Sequence, residues 1–302
     1  MKQFKKSIFA ICLALFLVFT AAVPAFAENS APKAESFELR TFRNTSVGGK
    51  LIASDPEGDK LGYTITTEPV KGKIELNRDG SFVYTPDENK KGRDYFGYKA
   101  IDIKGNVSQE ATVIIRIEKQ KTDVLYSDMS GRGAEYAAVL LSEEGIFTGE
   151  KIGEKYCFNP KRAVSRGEFL SLCMLTADKP SEYPVMKTGF SDDKYMPVWM
   201  KENVANATIQ GIYSRKSNEN GTGFDADAPI TKSEAAQALD KILDNGAAHE
   251  ILTDGVNANC ETGSGADLNN IKGAEDQDIG GDCLSREEMA HILAKVITAL
   301  KK

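Results

Sequence analysis

Three times in its second half the chain spells the same four-residue device. It reads Ser165-Arg166-Gly167-Glu168, then Thr231-Lys232-Ser233-Glu234, then Ser285-Arg286-Glu287-Glu288. Each is a predicted capping box, in which the Ser or Thr side chain accepts from the N3 amide and the N3 Glu reaches back to the cap's own N–H. Helices that start in one way at corresponding places make the region a repeat of one helical unit. Each box also puts Arg or Lys at the first helical position, on the positive end of the helix dipole, where it opposes the preferred charge by a few tenths of a kcal/mol. Recurrence at fixed register predicts a role other than helix stability. The economical one is an anion held jointly by each cation and its helix N-terminus; a solvated surface charge is the plain alternative.

Aligning Ser165, Thr231 and Ser285 exposes the rest of the unit. Gly145 and Gly211 each lie 20 residues before their box and are followed by Ile, and Phe158 and Phe224 lie seven before it. Tyr126-Ser127-Asp128 opens the first unit and Phe190-Ser191-Asp192 the second. A helical segment follows each opening, with Tyr136, Leu140 and Leu141 in the first. In the second, Val198, Ala205 and Ile209 share a face, with Trp199 beside it. After each box comes another helix, whose core positions correspond as Cys173, Leu239 and Leu293, then Thr176, Ile242 and Val296.

This order of aromatic-x-Asp opening, Gly-Ile turn, loop aromatic and capping box resembles the S-layer homology domain. Its box reads Thr-Arg-Ala-Glu, and the resemblance runs from about Asp123 to the C-terminus. It implies an all-α bundle of three units in a pseudo-trimer, with cell-wall glycan held in the grooves between units. The implied repeats are 123–180, 186–244 and a degenerate 245–302. The implied partner is a secondary cell-wall polysaccharide bearing pyruvate ketals on Gram-positive bacteria. A ketal carboxylate suits a helix N-terminus beside Arg166, Lys232 or Arg286. Asp128 and Asp192 are candidate acceptors of sugar hydroxyls, or else caps of the following helix. Trp199 is either a platform for a pyranose ring or a core residue. Gly145 and Gly211 join the candidate glycan set as the family's Gly-Ile turns.

The chain departs from the family pattern in places. Gly167 and Ser233 stand where Ala is usual, and Lys232 offers a point charge where Arg offers a fork. The third unit keeps Gly265 without a following Ile, has Asp278 in the loop-aromatic position and lacks the opening motif. The grooves at Arg166 and Lys232 are therefore expected to be complete and that at Arg286 incomplete, unless inter-unit packing makes Arg286 a shared ligand of a neighbouring groove, with none of the three cations mattering much for melting temperature.

The first 27 residues read as a secretory signal: Lys2, Lys5 and Lys6, an apolar run from Ile8 to Phe19, and Ala25-Phe26-Ala27 as a small-x-small cleavage site. The run is short for a membrane span. An extracellular location is expected from this signal, and the S-layer homology resemblance implies the cell wall or cell surface. The whole chain has 38 Lys and Arg against 44 Asp and Glu. Removing the signal deepens the deficit to about nine charges, a poor balance for a nucleic-acid partner. Cys157, Cys173, Cys260 and Cys283 match no zinc spacing, and only two His are present. Cys173 is expected to be a buried, unreactive thiol, and Cys260 with Cys283 a possible disulfide across an irregular loop.

Residues 28–120 have period two. Leu61, Tyr63 and Ile65 alternate, as do Ile74 with Leu76, Phe82 with Tyr84, Phe96 with Tyr98 and Ala100, and Val113 with Ile115 and Ile117. Turn signals separate the runs, so the segment is a predicted all-β sandwich. Ala53-Ser54-Asp55-Pro56-Glu57-Gly58-Asp59, Gly80-Ser81-Phe82-Val83-Tyr84-Thr85-Pro86 and Gly92-Arg93-Asp94-Tyr95-Phe96 resemble bacterial cadherin-like, Ig-like domains. The resemblance implies an extracellular spacer or adhesion unit. Asp55, Glu57, Asp59 and Asp102 are candidate calcium ligands, or simply turn formers; no other cofactor is expected.

The reading that unites the two halves is a secreted protein anchored non-covalently to the wall, displaying a small β-module. The alternative is an adhesin or structural protein of a surface layer. A wall hydrolase ranks last, because no catalytic triad, Cys/His pair or metal set has recognisable spacing. Non-enzymatic binding is the expectation.

Overall fold

The computed structural model describes residues 29–177, 187–213, 223–243 and 282–301. The signal segment, Cys260, Gly265 and Asp278 lie outside them. Eleven strands and five α-helices are described. The strands of the first module are β1 (Lys33–Ala34), β2 (Phe37–Phe42), β3 (Val47–Lys50), β4 (Ala53–Ser54), β5 (Gly62–Thr67), β6 (Gly72–Leu76), β7 (Ser81–Pro86), β8 (Gly92–Ile101) and β9 (Ala111–Glu118). One sheet has the order β2-β9-β8-β5 and faces a second of order β3-β7-β6, while β1 and β4 pair separately. β2 runs parallel to β9; the other neighbours are antiparallel.

The period-two residues fill the space between the sheets. Phe82, Tyr84, Phe96, Tyr98, Val113 and Ile115 are fully buried there. The two tyrosine hydroxyls find partners inside, as buried phenols must. Tyr98 donates to main-chain carbonyls of Glu35 and Ile52 (2.6 and 2.7 Å), and Tyr84 to Asp94 Oδ2 (2.8 Å). The β6–β7 turn closes on Gly80, whose φ of +83° is open to glycine at no steric cost.

The second module contains α1 (Glu135–Glu143), the hairpin β10 (Glu150–Ile152) and β11 (Lys155–Cys157), α2 (Arg166–Thr176), α3 (Val198–Ile209), α4 (Lys232–Leu243) and α5 (Arg286–Leu300). The hairpin makes the expected all-α description too narrow: the first unit inserts strands into its loop. Cys173, Leu239 and Leu293 are buried, as are Thr176, Ile242 and Val296. Burial pushes the Cys173 thiol's pKa well up, so it behaves as a small hydrophobe. On α3 the expected face is wrong. Val198 and Ile209 are 85% and 76% exposed, and the buried stripe is Met200, Val204 and Ala207. Only Ala205 of the expected set is buried, because the helix meets α2 with its i, i+4, i+7 row. Among the described residues no helix is long and apolar enough to cross a membrane.

Candidate functional site at the seams between units

The residues just before each capping box build a closed ring. Val164 N–H donates to Leu284 C=O (2.9 Å), Leu284 N–H to Ile230 C=O (3.0 Å), and Ile230 N–H to Val164 C=O (2.9 Å). A second ring surrounds it: Arg166 N–H to Ala228 C=O, Lys232 N–H to Asp282 C=O, and Arg286 N–H to Arg162 C=O, at 2.8 to 2.9 Å. The side chains of Val164, Ile230 and Leu284 are buried. The three boxes therefore converge about one axis, and every unit touches both others.

Two of the three boxes close reciprocally as the sequence implies, and at Ser165 the side-chain half forms. Ser285 Oγ accepts from Glu288 N–H (3.3 Å) while Glu288 Oε2 accepts from Ser285 N–H (2.9 Å). Thr231 and Glu234 make the same exchange at 3.1 and 3.3 Å. Ser165 Oγ accepts from Glu168 N–H at 3.2 Å. Gly167, one residue earlier than Glu168, lies so close to unit two that an added Cβ would meet Met200 Sδ at 2.6 Å and Ala226 O at 3.2 Å. Its presence in place of Ala reflects this close approach.

The cations pair around the same ring. Arg166 Nη2 lies 3.5 Å from Glu234, Lys232 Nζ 2.7 Å from Glu288, and Arg286 Nη2 3.2 Å from Glu168. Glu234 and Glu288 thus bind both their own helix start and the cation of a neighbouring unit, while the Glu168 carboxylate meets the neighbour's Arg286. Burial alone would raise the Glu288 pKa, but Lys232 and the Ser285 amide and hydroxyl outweigh it and hold the carboxyl below its ordinary value. The anion expected at each cation is, in the first instance, a protein carboxylate. Arg286 is the most enclosed, with its side chain 5% exposed against 13% for Arg166 and 21% for Lys232. It also donates to Phe158 C=O, lies 3.5 Å from Glu150 of β10, and sits over the Phe147 ring at 5.1 Å.

Arg286 and Arg166 therefore serve the loop of the next unit around the ring, not their own. Arg286 meets the loop of unit one, whereas Arg166 donates to Phe224 and Asp225 carbonyls of unit two at 2.8 and 2.9 Å. Of the two expectations for Arg286, inter-unit packing is the one that applies: it sits with Phe147 and Phe158 in the loop held by Asp128, not in a depleted groove of its own unit. The corresponding loop residues of the third unit lie outside the described residues.

Asp128 and Asp192 grip the same loops from the other side. Asp128 accepts from Phe158 and Asn159 amides (2.9 and 2.7 Å), and Asp192 from Phe224 and Asp225 amides (3.0 and 2.7 Å). Asn159 and Asp225 have φ near +57°, so the carboxylate stabilises a left-handed turn that Asn and Asp tolerate. Neither carboxylate caps a helix: Asp192 stands at the N-cap position of the 3₁₀ turn Asp193–Tyr195 but makes no side-chain cap bond there, and the N-cap of α1 is Ala134. Gly145 and Gly211 are helix stops at φ of +69° and +70°. After α1 the Gly145 and Ile146 amides bond to Ser142 and Leu141 carbonyls (3.1 and 2.9 Å), the double bond of a Schellman cap. Trp199 is 59% exposed, which removes the core reading and leaves its face free. The Nε atoms of Arg166 and Arg286 are buried without a hydrogen-bond partner among the described residues.

The candidate calcium set does not converge. Among the described residues no three His, Cys, Asp or Glu gather around a metal-sized space. Asp55 Oδ1 takes the amides of Glu57 and Asp59, Glu57 takes Ser30, and Asp102 takes Asn29, Lys104 and Asn106. Asp55 Oδ1, Glu57 and Asp102 thus shape turns and termini, while Asp55 Oδ2 and Asp59 Oδ2 are buried with no hydrogen-bond partner among the described residues. Cys283 carries a free thiol.

Sequence reasoning did not single out Val164, Ile230 and Leu284. The signal was present, since each immediately precedes its box. Nor did it see that a box containing both Arg and Glu can pair with copies of itself in a ring.

Residues 29–119 match the bacterial cadherin-like domain family. No curated protein sequence matches the chain. Among solved structures it is similar to an endo-fucoidan hydrolase from glycoside hydrolase family 107, at 20% identity over 31% of this chain and 14% of that one, with a TM-score of 0.26. Human protocadherin-24 EC1-2 is similar at 17% identity over 30% and 44%, with a TM-score of 0.24. An SrpA adhesin from Streptococcus sanguinis is similar at 14% identity over 34% and 68%, again at 0.24. The chain spans only 14% and 15% of the first two hydrolase structures it matches. These likenesses carry no functional weight.

Proposed function

We propose that the chain is a secreted, non-catalytic wall anchor that binds a carboxylate-bearing secondary cell-wall polysaccharide at the seams between three S-layer homology-like units, and displays a cadherin-like sandwich. The observation that carries this reading is the recurrent seam, where one unit's helix-start cation meets the next unit's loop. Among the described residues, Arg166 and Arg286 each keep a buried Nε donor without an acceptor there. A carboxylate reaching a seam would satisfy a donor that otherwise costs about 1–3 kcal/mol. Trp199, exposed at the start of α3, offers a face for a sugar ring. The signal-like N-terminus supports export, and the wall is where such an anionic glycan would be met.

The test is binding of the full mature chain to purified wall polymer before and after removal of its pyruvate. Affinity that depends on pyruvate supports the reading. Equal binding to both polymers, or to neither, ends it. A surface-layer adhesin is the second reading, favoured by the cadherin-like match of residues 29–119; capture of a protein partner by the sandwich in the absence of wall polymer would select it.

A further inference from the structure

Chain segment 131–136 begins α1 and at the same time lies along the edge of the sandwich. Gly48 N–H, on edge strand β3, donates to Gly133 C=O (2.8 Å), and Tyr136 N–H donates to Ser46 C=O (3.0 Å). Ser46 N–H donates to Glu135 Oε2 (2.9 Å), and both residues are buried. A Cβ on Gly48 would stand 3.0 Å from Gly133 Cα, and one on Gly133 would stand 3.2 Å from Gly48 Cα. The two backbones hydrogen-bond as neighbouring strands do, and a Cβ on either glycine would press tightly on the other's backbone, which favours glycine on both sides. Phe42, the last residue of β2, is buried with the bundle core and lies 5.2 Å from the Tyr136 ring, which packs on both cores.

The connection between modules is held as well. Glu143 accepts from Lys121 N–H (2.8 Å), Thr122 N–H (2.7 Å) and the Thr122 hydroxyl (2.5 Å). The stretch from Asp128 to Tyr136, which contains the segment on the sandwich edge, also reaches the first seam. Asp128 grips the Phe158 loop, and Arg132 pairs with Glu287 at 3.3 Å, next to Arg286.

We propose that the sandwich and the helical bundle are one cooperative rigid body, in which the first turn of α1 completes the β3 edge and the linker is a clamp instead of a hinge. Glu135 argues against an incidental contact. It is a buried carboxylate whose partners are the amides of Ser46 and Gly131. Burying it costs free energy, and the Ser46 amide that offsets the cost belongs to the other module. A sandwich on a loose tether would leave Glu135 to water. Covering β3 also removes one open sheet edge from unwanted pairing. Any load or partner on the sandwich would then be felt at the seam built around Asp128 and Arg286.

Differential scanning calorimetry of the full chain, combined with hydrogen exchange at Ser46 and Gly48, tests this. The native chain should melt in a single transition, with those two amides exchanging as slowly as the β8 and β9 core. Gly133→Val, which drives a side chain into β3, should abolish their protection and split the melting into two transitions. If that variant melts both modules together at lower temperature, coupling is again shown, because independent modules would not fall together. Two transitions in the native chain, or a Gly133→Val chain with native melting and protection, would overturn the proposal. Glu143→Ala, which frees the linker without touching either core, supplies the milder check: protection at Ser46 should fall while far-ultraviolet circular dichroism stays native.

Discussion

A single buried guanidinium shows how context reverses a local rule. By its position, Arg286 should be a slight burden on its own helix and removable without harm. In the folded protein it is enclosed, paired with Glu168 and bonded to Phe158 C=O. Removing one member of a buried pair leaves the other charge uncompensated, at about 3 kcal/mol. Arg286→Ala should therefore lower the melting temperature clearly, and Lys232→Ala, on a more exposed pair, by much less. Calorimetry of both variants decides this; equal small shifts would show the ring of ion pairs to be ordinary surface charge. His291 gives a pH signature. Its pKa is pushed down to about 4, by burial first and then by Lys295. Between about 4 and the ordinary 6.5 the unfolded chain binds the proton and the folded one does not. Stability should be fully present above 6.5 and fall as pH drops through that window. His291→Gln should flatten urea midpoints measured across it, and an unchanged pH slope would remove His291 as the cause.

At the scale of elements, the helix starts and stops were legible because they are local chemistry. The Ser285 and Thr231 boxes close as written, and Gly145 and Gly211 end their helices in the left-handed region. Gly145→Ala should cost about 1 kcal/mol, since a Cβ opposes that conformation, and Gly145→Asn should cost less because Asn tolerates it. Denaturant midpoints of the two variants give the order; Ala no worse than Asn would mean the turn has relaxed. The faces of helices were less legible. Tyr136, Leu140 and Leu141 turn inward on α1, but Val198 and Ile209 turn outward on α3. Periodicity alone did not distinguish the row that meets α2 from its neighbour, since several phases of an apolar helix satisfy the same pattern.

For the whole molecule, the decisive feature is closure. Val164, Ile230 and Leu284 come from distant parts of the chain and meet at one axis. Large-to-small changes there should each loosen all three units, at about 2–4 kcal/mol for Ile230→Ala or Leu284→Ala. Because these residues touch, the double variant should depart from the sum of the singles by more than about 0.5 kcal/mol. Additive losses would indicate three units folding separately. The 29–119 sandwich, by contrast, was readable strand by strand, because alternating Phe82, Tyr84, Phe96 and Tyr98 need only the opposite sheet to bury them.

The sequence by itself determined the local grammar: two modules, the alternating strands, the box at each helix start, the glycine at each stop, and the repeat that ties three units into one pattern. These depend on interactions within a few residues, so their signals lie side by side in the chain. Only the tertiary structure decided who meets whom. It gave each box Glu to a neighbouring unit's cation, turned Asp128 and Asp192 into loop clamps, left Trp199 bare, and brought Gly48 against Gly133. Those outcomes depend on distances between residues far apart in sequence, which propensity and periodicity do not encode.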